Sequence, residues 1–309
     1  MKSSRWFALG WLLAGLSPLA AAEFEVRNEG EFKKCVAAEA TVEKLAGGMG
    51  FTEGPTWFQG FLVFSDIPNN ELKKWSKAAG LETFRKPSQN INGNTTDAAG
   101  RLFSAEHSAR RVSVTDAAGK VETVVETFDG KKFNSPNDVV VKSDGTVWFT
   151  DPPYGLPKGA AKEQAGNHVY RFDPKTKAVT IVVKDADMPN GLCFSPDEKK
   201  LYLADSGRPR HIRVFDVPAD GTLANGKVFA AIDKGGPDGI RCDADGRIWS
   251  SAGDGVHVFA PDGSLVGKIL VPESPANLCF GGPDGKTLFI TARKSLYAIP
   301  VKVGGAARP

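Results

Sequence analysis

Asn137-Asp-Val-Val-Val-Lys-Ser-Asp-Gly-Thr-Val-Trp-Phe-Thr-Asp151 consists of two apolar runs separated by Ser143-Asp-Gly145. An Asp-Gly pair between β-branched runs is a hairpin signal. The same unit recurs at Asp238-Gly-Ile-Arg-Cys-Asp-Ala-Asp-Gly-Arg-Ile-Trp-Ser250. Outward from these two, six copies end at Asp66, Glu106, Asp151, Asp205, Ala252 and Ala292, spaced by 40, 45, 54, 47 and 40 residues. A third, alternating strand follows each copy, for example His168-Val-Tyr-Arg-Phe172. A fourth follows five of them, as in Val179-Thr-Ile-Val-Val183.

Four-strand units repeated at 40 to 55 residues predict an all-β fold, a six-bladed β-propeller with four antiparallel strands per blade. Each blade buries its faces only against its neighbours, so the ring folds as one domain. The sixth unit lacks a fourth strand before the chain ends. Thr41 to Leu45 reads as the strand that completes it and closes the ring. The expected organisation is a signal peptide over 1–22, an N-terminal arm over 23–40 with no assigned role (a loose arm or a lid), and the propeller over 41–305.

The leader reading rests on Lys2 and Arg5, an apolar run from Trp6 to Leu16, and the small residues Ala20 to Ala22. The run is shorter than the ~20 residues a spanning helix needs, so cleavage near Glu23 is expected. The product would be periplasmic or secreted, with no membrane association after cleavage. The formal net charge of +3 is scattered, which speaks against nucleic acid as a partner. A monomer or dimer is expected. Cys193 and Cys279 occupy the same phase of the repeat and read as small core positions, and no Cys-x-x-Cys occurs.

Counting back from each second-strand end by 13, 14, 14, 15, 14 and 15 residues lands on Glu53, Asn92, Asn137, Asn190, Asp238 and Asn277. All six are carboxylates or carboxamides, at the start of the strand that lines a propeller's channel. Single Asn or Asp residues at such places usually cap turns. Six in phase point to a ring of oxygen ligands for one divalent cation, Ca²⁺ foremost, with Mg²⁺, Mn²⁺ or Zn²⁺ as alternatives. Neither His nor Cys is among them. Asp66, Glu106, Asp151 and Asp205 return to the same rim. Asp151 and Asp205 are expected to orient the Asn ligands or touch substrate, and Glu106 also becomes a candidate substrate contact. His107, as a possible proton shuttle, and Tyr154 lie close by. Gly-x-Ser-x-Gly and His-Glu-x-x-His are absent, which disfavours serine-esterase and zincin chemistry.

Glu53-Gly-Pro-Thr-Trp57, Phe64-Ser-Asp-Ile-Pro-Asn-Asn70, Asn134-Ser-Pro-Asn-Asp-Val-Val140, Phe149-Thr-Asp-Pro-Pro-Tyr-Gly155, Pro189-Asn-Gly-Leu192 and Pro237-Asp-Gly-Ile240 resemble the gluconolactonase and regucalcin (senescence marker protein) family. The resemblance spans nearly the whole mature chain and leans toward the bacterial sugar-lactone branch. It implies a six-bladed propeller whose Ca²⁺ or Zn²⁺ is held by Glu53, Asn190 and Asp238. In related lactonases and phosphotriesterases Asn137 joins them. It also implies that Asn92 contacts substrate and that Asp238 transfers the proton. The expected activity is metal-dependent hydrolysis of a sugar lactone to the aldonic acid, with Asp238 as the catalytic base and Glu53 the second choice. A phosphotriesterase, another lactonase or a non-catalytic calcium-binding propeller are the alternatives.

Overall fold

The computed structural model describes residues 24–306. The leader read at 1–22 lies outside the described residues. Six antiparallel sheets form the blades, each built on four strands, with a fifth strand added to one of them. From the channel outward, the first blade comprises Thr52–Phe58, Phe61–Asp66, Glu71–Ser76 and Gly80–Arg85. The third comprises Val139–Val141, Val147–Asp151, His168–Phe172 and Val179–Val183. In the sixth, Glu43–Ala46 pairs antiparallel with Ser295–Pro300. The strand read at Thr41 to Leu45 therefore closes the ring, one to two residues late.

The period-2 alternation explains the packing. Trp148 points into the seam between the third and fourth blades, and its neighbour Phe149 into the seam between the second and third. One apolar cluster fills each of the six seams. Burying each large side chain there contributes about 1.5–3 kcal/mol. Cys193, Cys242 and Cys279 sit in these seams, and all four cysteines are buried as thiols outside any disulfide.

Residues 24–40 are folded onto the ring. Phe24–Val26 adds a fifth strand to the fifth blade. Asn28 then caps the helix Glu29–Cys35, its side chain accepting from the Glu31 N–H at 3.1 Å. Phe32, Cys35, Val36 and Ala40 enter the seam between the fifth and sixth blades. Among the described residues no helix is long and apolar enough to cross a membrane.

Candidate metal and active site

Each blade's innermost strand begins at one face, so its first side chains converge on the axis. Glu53, Asn92, Asn137, Asn190 and Asp238 line one open cavity of about 680 Å³. Asn277 stands behind Glu53, donating from Nδ2 to Glu53 Oε2 at 3.0 Å, while the Gly54 N–H donates to the same oxygen at 2.7 Å. The strands approach so closely that backbones touch. The Gly191 N–H donates to the Asp238 carbonyl at 3.1 Å, and a Cβ on Gly191 would lie 2.3 Å from that oxygen. A glycine also follows Glu53, Asn92 and Asp238.

Glu53 is buried and Asp238 is partly buried at the cavity wall. Burial pushes both carboxyls up, and the Glu53 charge pushes Asp238 further. Carboxylates that repel one another, among amide side chains able to turn an oxygen inward, are the donor set of a hard divalent cation. The ring therefore fits such an ion through Glu53, Asn137, Asn190 and Asp238.

His107 and Tyr154 also line the cavity. His107 Nε2 lies 3.4 Å from Asn92 Nδ2. Burial pushes the imidazole down to about 4, so it is neutral at pH 7. A Cβ on Gly155 would lie 2.2 Å from the His107 ring, so the glycine allows the 152–157 loop to cover it. Tyr154 is half exposed at the mouth, facing Ser206 and Asn190.

Glu106, Asp151 and Asp205, expected as substrate contacts, do not line the cavity. Glu106 pairs with Arg111 Nε at 2.6 Å. Asp151 accepts the Asn134 and Ser135 N–H groups at 2.8 and 2.9 Å. Asp205 accepts those of Asp187 and Met188, both at 2.8 Å. Asp66 accepts those of Gly50 and Phe51 at 3.0 and 3.3 Å. In all three blades the carboxylate clamps the amides three and two positions before the ring residue. It acts on the ring through the backbone, with its oxygens taken up away from the substrate space.

Two residues on the axis escaped the sequence reading. Asp138 is buried beside the ring, and Arg241 Nη1 reaches Asp138 Oδ2 at 3.3 Å. The available signal was the position after each ring residue, which is Gly in four blades but Asp138 in the third. A separate cluster, Asp233, Asp254 and His257, has its carboxylates 3.0 and 3.1 Å from the Lys268 ammonium. That ammonium already bridges the two carboxylates and offsets one of their charges, and the cluster lies away from the cavity.

Residues 51–294 match the model of the SMP-30/gluconolactonase/LRE-like region. A gluconolactonase from Zymomonas mobilis subsp. mobilis is 33% identical, covering 85% of this chain and 82% of its own. The solved gluconolactonase of Xanthomonas campestris superposes with a TM-score of 0.85 at 34% identity, over 94% of this chain and 99% of that one. Regucalcin from Agrobacterium tumefaciens, described as a calcium-binding protein, shares the fold with a TM-score of 0.72 at 24% identity, over 86% of this chain and 97% of its own. With the family match running from the first ring residue's approach to the last blade, the chain belongs to the SMP-30/gluconolactonase/LRE-like family.

Proposed function

We propose that the chain hydrolyses a sugar lactone to the corresponding hydroxy acid, using one divalent cation, Ca²⁺ foremost, held by Glu53, Asn137, Asn190 and Asp238. The observation that carries the reading is the convergence of two mutually repelling carboxylates, buried Glu53 and partly buried Asp238, and of amide side chains on one open cavity. The gluconolactonase names of relatives at 33% and 34% identity support the lactone as substrate class.

A bound divalent cation would supply Lewis acidity toward the lactone carbonyl and charge stabilisation of the developing oxyanion. The chain's own groups do the rest. The Asp238 carboxylate takes a proton from the attacking water and passes it to the leaving ring oxygen. Water oxygen bonds to the acyl carbon, the ring C–O bond breaks, and the ring oxygen leaves as a hydroxyl after protonation. Asn92 and the neutral His107 present amide and imidazole groups to sugar hydroxyls on one wall, with Tyr154 at the mouth. Export to the periplasm or medium, after removal of residues 1–22, is part of the proposal, as is a monomeric or dimeric state.

Metal-stripped protein assayed on aldonolactones, a simple aliphatic lactone and a phosphotriester, with each cation added back, tests the reading. Cation-restored turnover of a sugar lactone is expected. Turnover of the phosphotriester alone would reassign the substrate, and full activity without any divalent cation would remove the metal.

A further inference from the structure

The axis carries more charge than a ligand ring requires. Asp138 follows Asn137 on the third blade and is buried, accepting from its own blade at the Val139 N–H, 2.9 Å away. From the fifth blade, on the strand Ile240–Cys242, the Arg241 side chain extends into the channel and meets it. The Arg241 hydrogen bonds among the described residues run from Nη1, to Asp138 Oδ2 at 3.3 Å and to the Ile240 carbonyl at 2.7 Å. The two residues are 103 positions apart in sequence, so only the closed ring brings them together.

Their charges reach the ring. Asp138 acts electrostatically on both Glu53 and Asp238, and Arg241 acts on Glu53. Three carboxylates, Glu53, Asp138 and Asp238, thus share the axis with the Arg241 guanidinium, while the solvent-exposed Arg293 also acts on Asp238. The groups on the axis alone leave two negative charges, which one divalent ion neutralises.

We infer that Arg241 is a built-in counter-cation on the axis, which with Asp138 fixes the charge that the ring presents to one divalent ion. The inference rests on the cation-binding reading above. A buried charge pair is poor evidence for stability, since replacing both partners is often neutral. Its retention next to an ion site is explained by its effect on that site. Asp138 attracts the ion and Arg241 repels it, so removing either member shifts affinity in opposite directions, and removing both nearly cancels.

Calcium titration calorimetry on the full chain provides the test, with melting temperature recorded with and without Ca²⁺. The wild-type chain is expected to bind one Ca²⁺. Arg241→Met should tighten binding by at least about tenfold, and Asp138→Asn should weaken it by at least about tenfold. The double variant should return to within about threefold of wild type, and Arg241→Lys should stay near it. A merely structural pair would behave differently: both single variants would weaken binding, and the double variant would weaken it at least as much. That outcome overturns the inference, as would single variants that leave affinity unchanged. If Arg241→Met does not fold, Asp138→Asn and the charge-neutral double variant decide between the same alternatives. A wild-type chain that binds no divalent ion would instead overturn the reading beneath it.

Discussion

Asn277 Nδ2 donates to Glu53 Oε2 at 3.0 Å across 224 positions of sequence, joining the last blade to the first at the point where the ring closes. Asn277 Oδ1 in turn accepts from the Leu278 N–H at 2.8 Å, so the side-chain amide cannot turn away. A fixed donor orients the carboxylate and leaves its other oxygen for a ligand role. Outer hydrogen-bond partners of this kind are worth about 10–100-fold in metal affinity or activity. Asn277→Ala is expected to weaken Ca²⁺ binding and lactone turnover by that factor while the circular dichroism spectrum stays that of a β protein. Unchanged Ca²⁺ affinity would show that Glu53 needs no such support.

Glu53 and Asp238 repel one another when no cation lies between them. Asp238→Asn removes one of these charges while keeping the shape. Lactone turnover should fall about 10²–10⁴-fold, the range of a general base. Cation-free Asp238→Asn should nonetheless melt a few degrees above the cation-free wild type, because the repulsion with Glu53 has gone. Added Ca²⁺ should raise the wild-type melting temperature by more than that of the variant. Paired thermal melts with and without chelator would check both signs, and a variant that melts lower without cation would contradict the assigned repulsion.

The Asp151 clamp makes a different prediction. Asp151→Ala leaves the Asn134 and Ser135 amides without their acceptor in a buried place. Each stranded donor costs about 1–3 kcal/mol, so a loss of about 2–6 kcal/mol is expected. Asn137 should lose its fixed position, and Ca²⁺ affinity should fall with it. Hydrogen exchange would detect the event directly, as faster exchange at these two amides. Protection equal to wild type would mean that another group holds the loop.

The repeat made the ring residues legible. Glu53, Asn92, Asn137, Asn190 and Asp238 share a phase, and phase along a strand fixes both face and depth. The orientation of Asp151 and Asp205 was not legible, because a strand's last side chain can turn to the axis or to its own loop. The loop amides that decide between the two lie about 17 residues upstream. Asp138 and Arg241 stayed hidden for a related reason. They meet across the channel, and neither stands out from an ordinary strand residue until the blades are arranged around an axis. Residues 24–40 gave no reading because they repeat nothing; Phe32 acquires its meaning only from the seam it fills.

Closure of the ring should be sensitive to acid through Glu273. This carboxylate gathers donors from three parts of the closing blade. Lys44 on the closing strand reaches it at 3.1 Å, the Lys294 N–H at 3.1 Å and the Tyr297 hydroxyl at 2.9 Å, with the Ser295 hydroxyl also bound. Partial burial pushes the carboxyl up, but these donors outweigh it and hold it at about 2, below the ordinary 4.5. A depressed folded value means that the stabilisation is complete above pH 4.5 and is lost as the pH falls toward 2. Glu273 is about a quarter exposed, so solvent screening reduces the contribution to about 1–2 kcal/mol. Glu273→Gln should therefore be less stable than wild type at pH 6, and the gap should close as the pH approaches 2. Denaturant midpoints for both proteins across that range give the measurement. A gap that stays constant with pH would mean that the side chain's shape holds the closing strand, and that its charge does not.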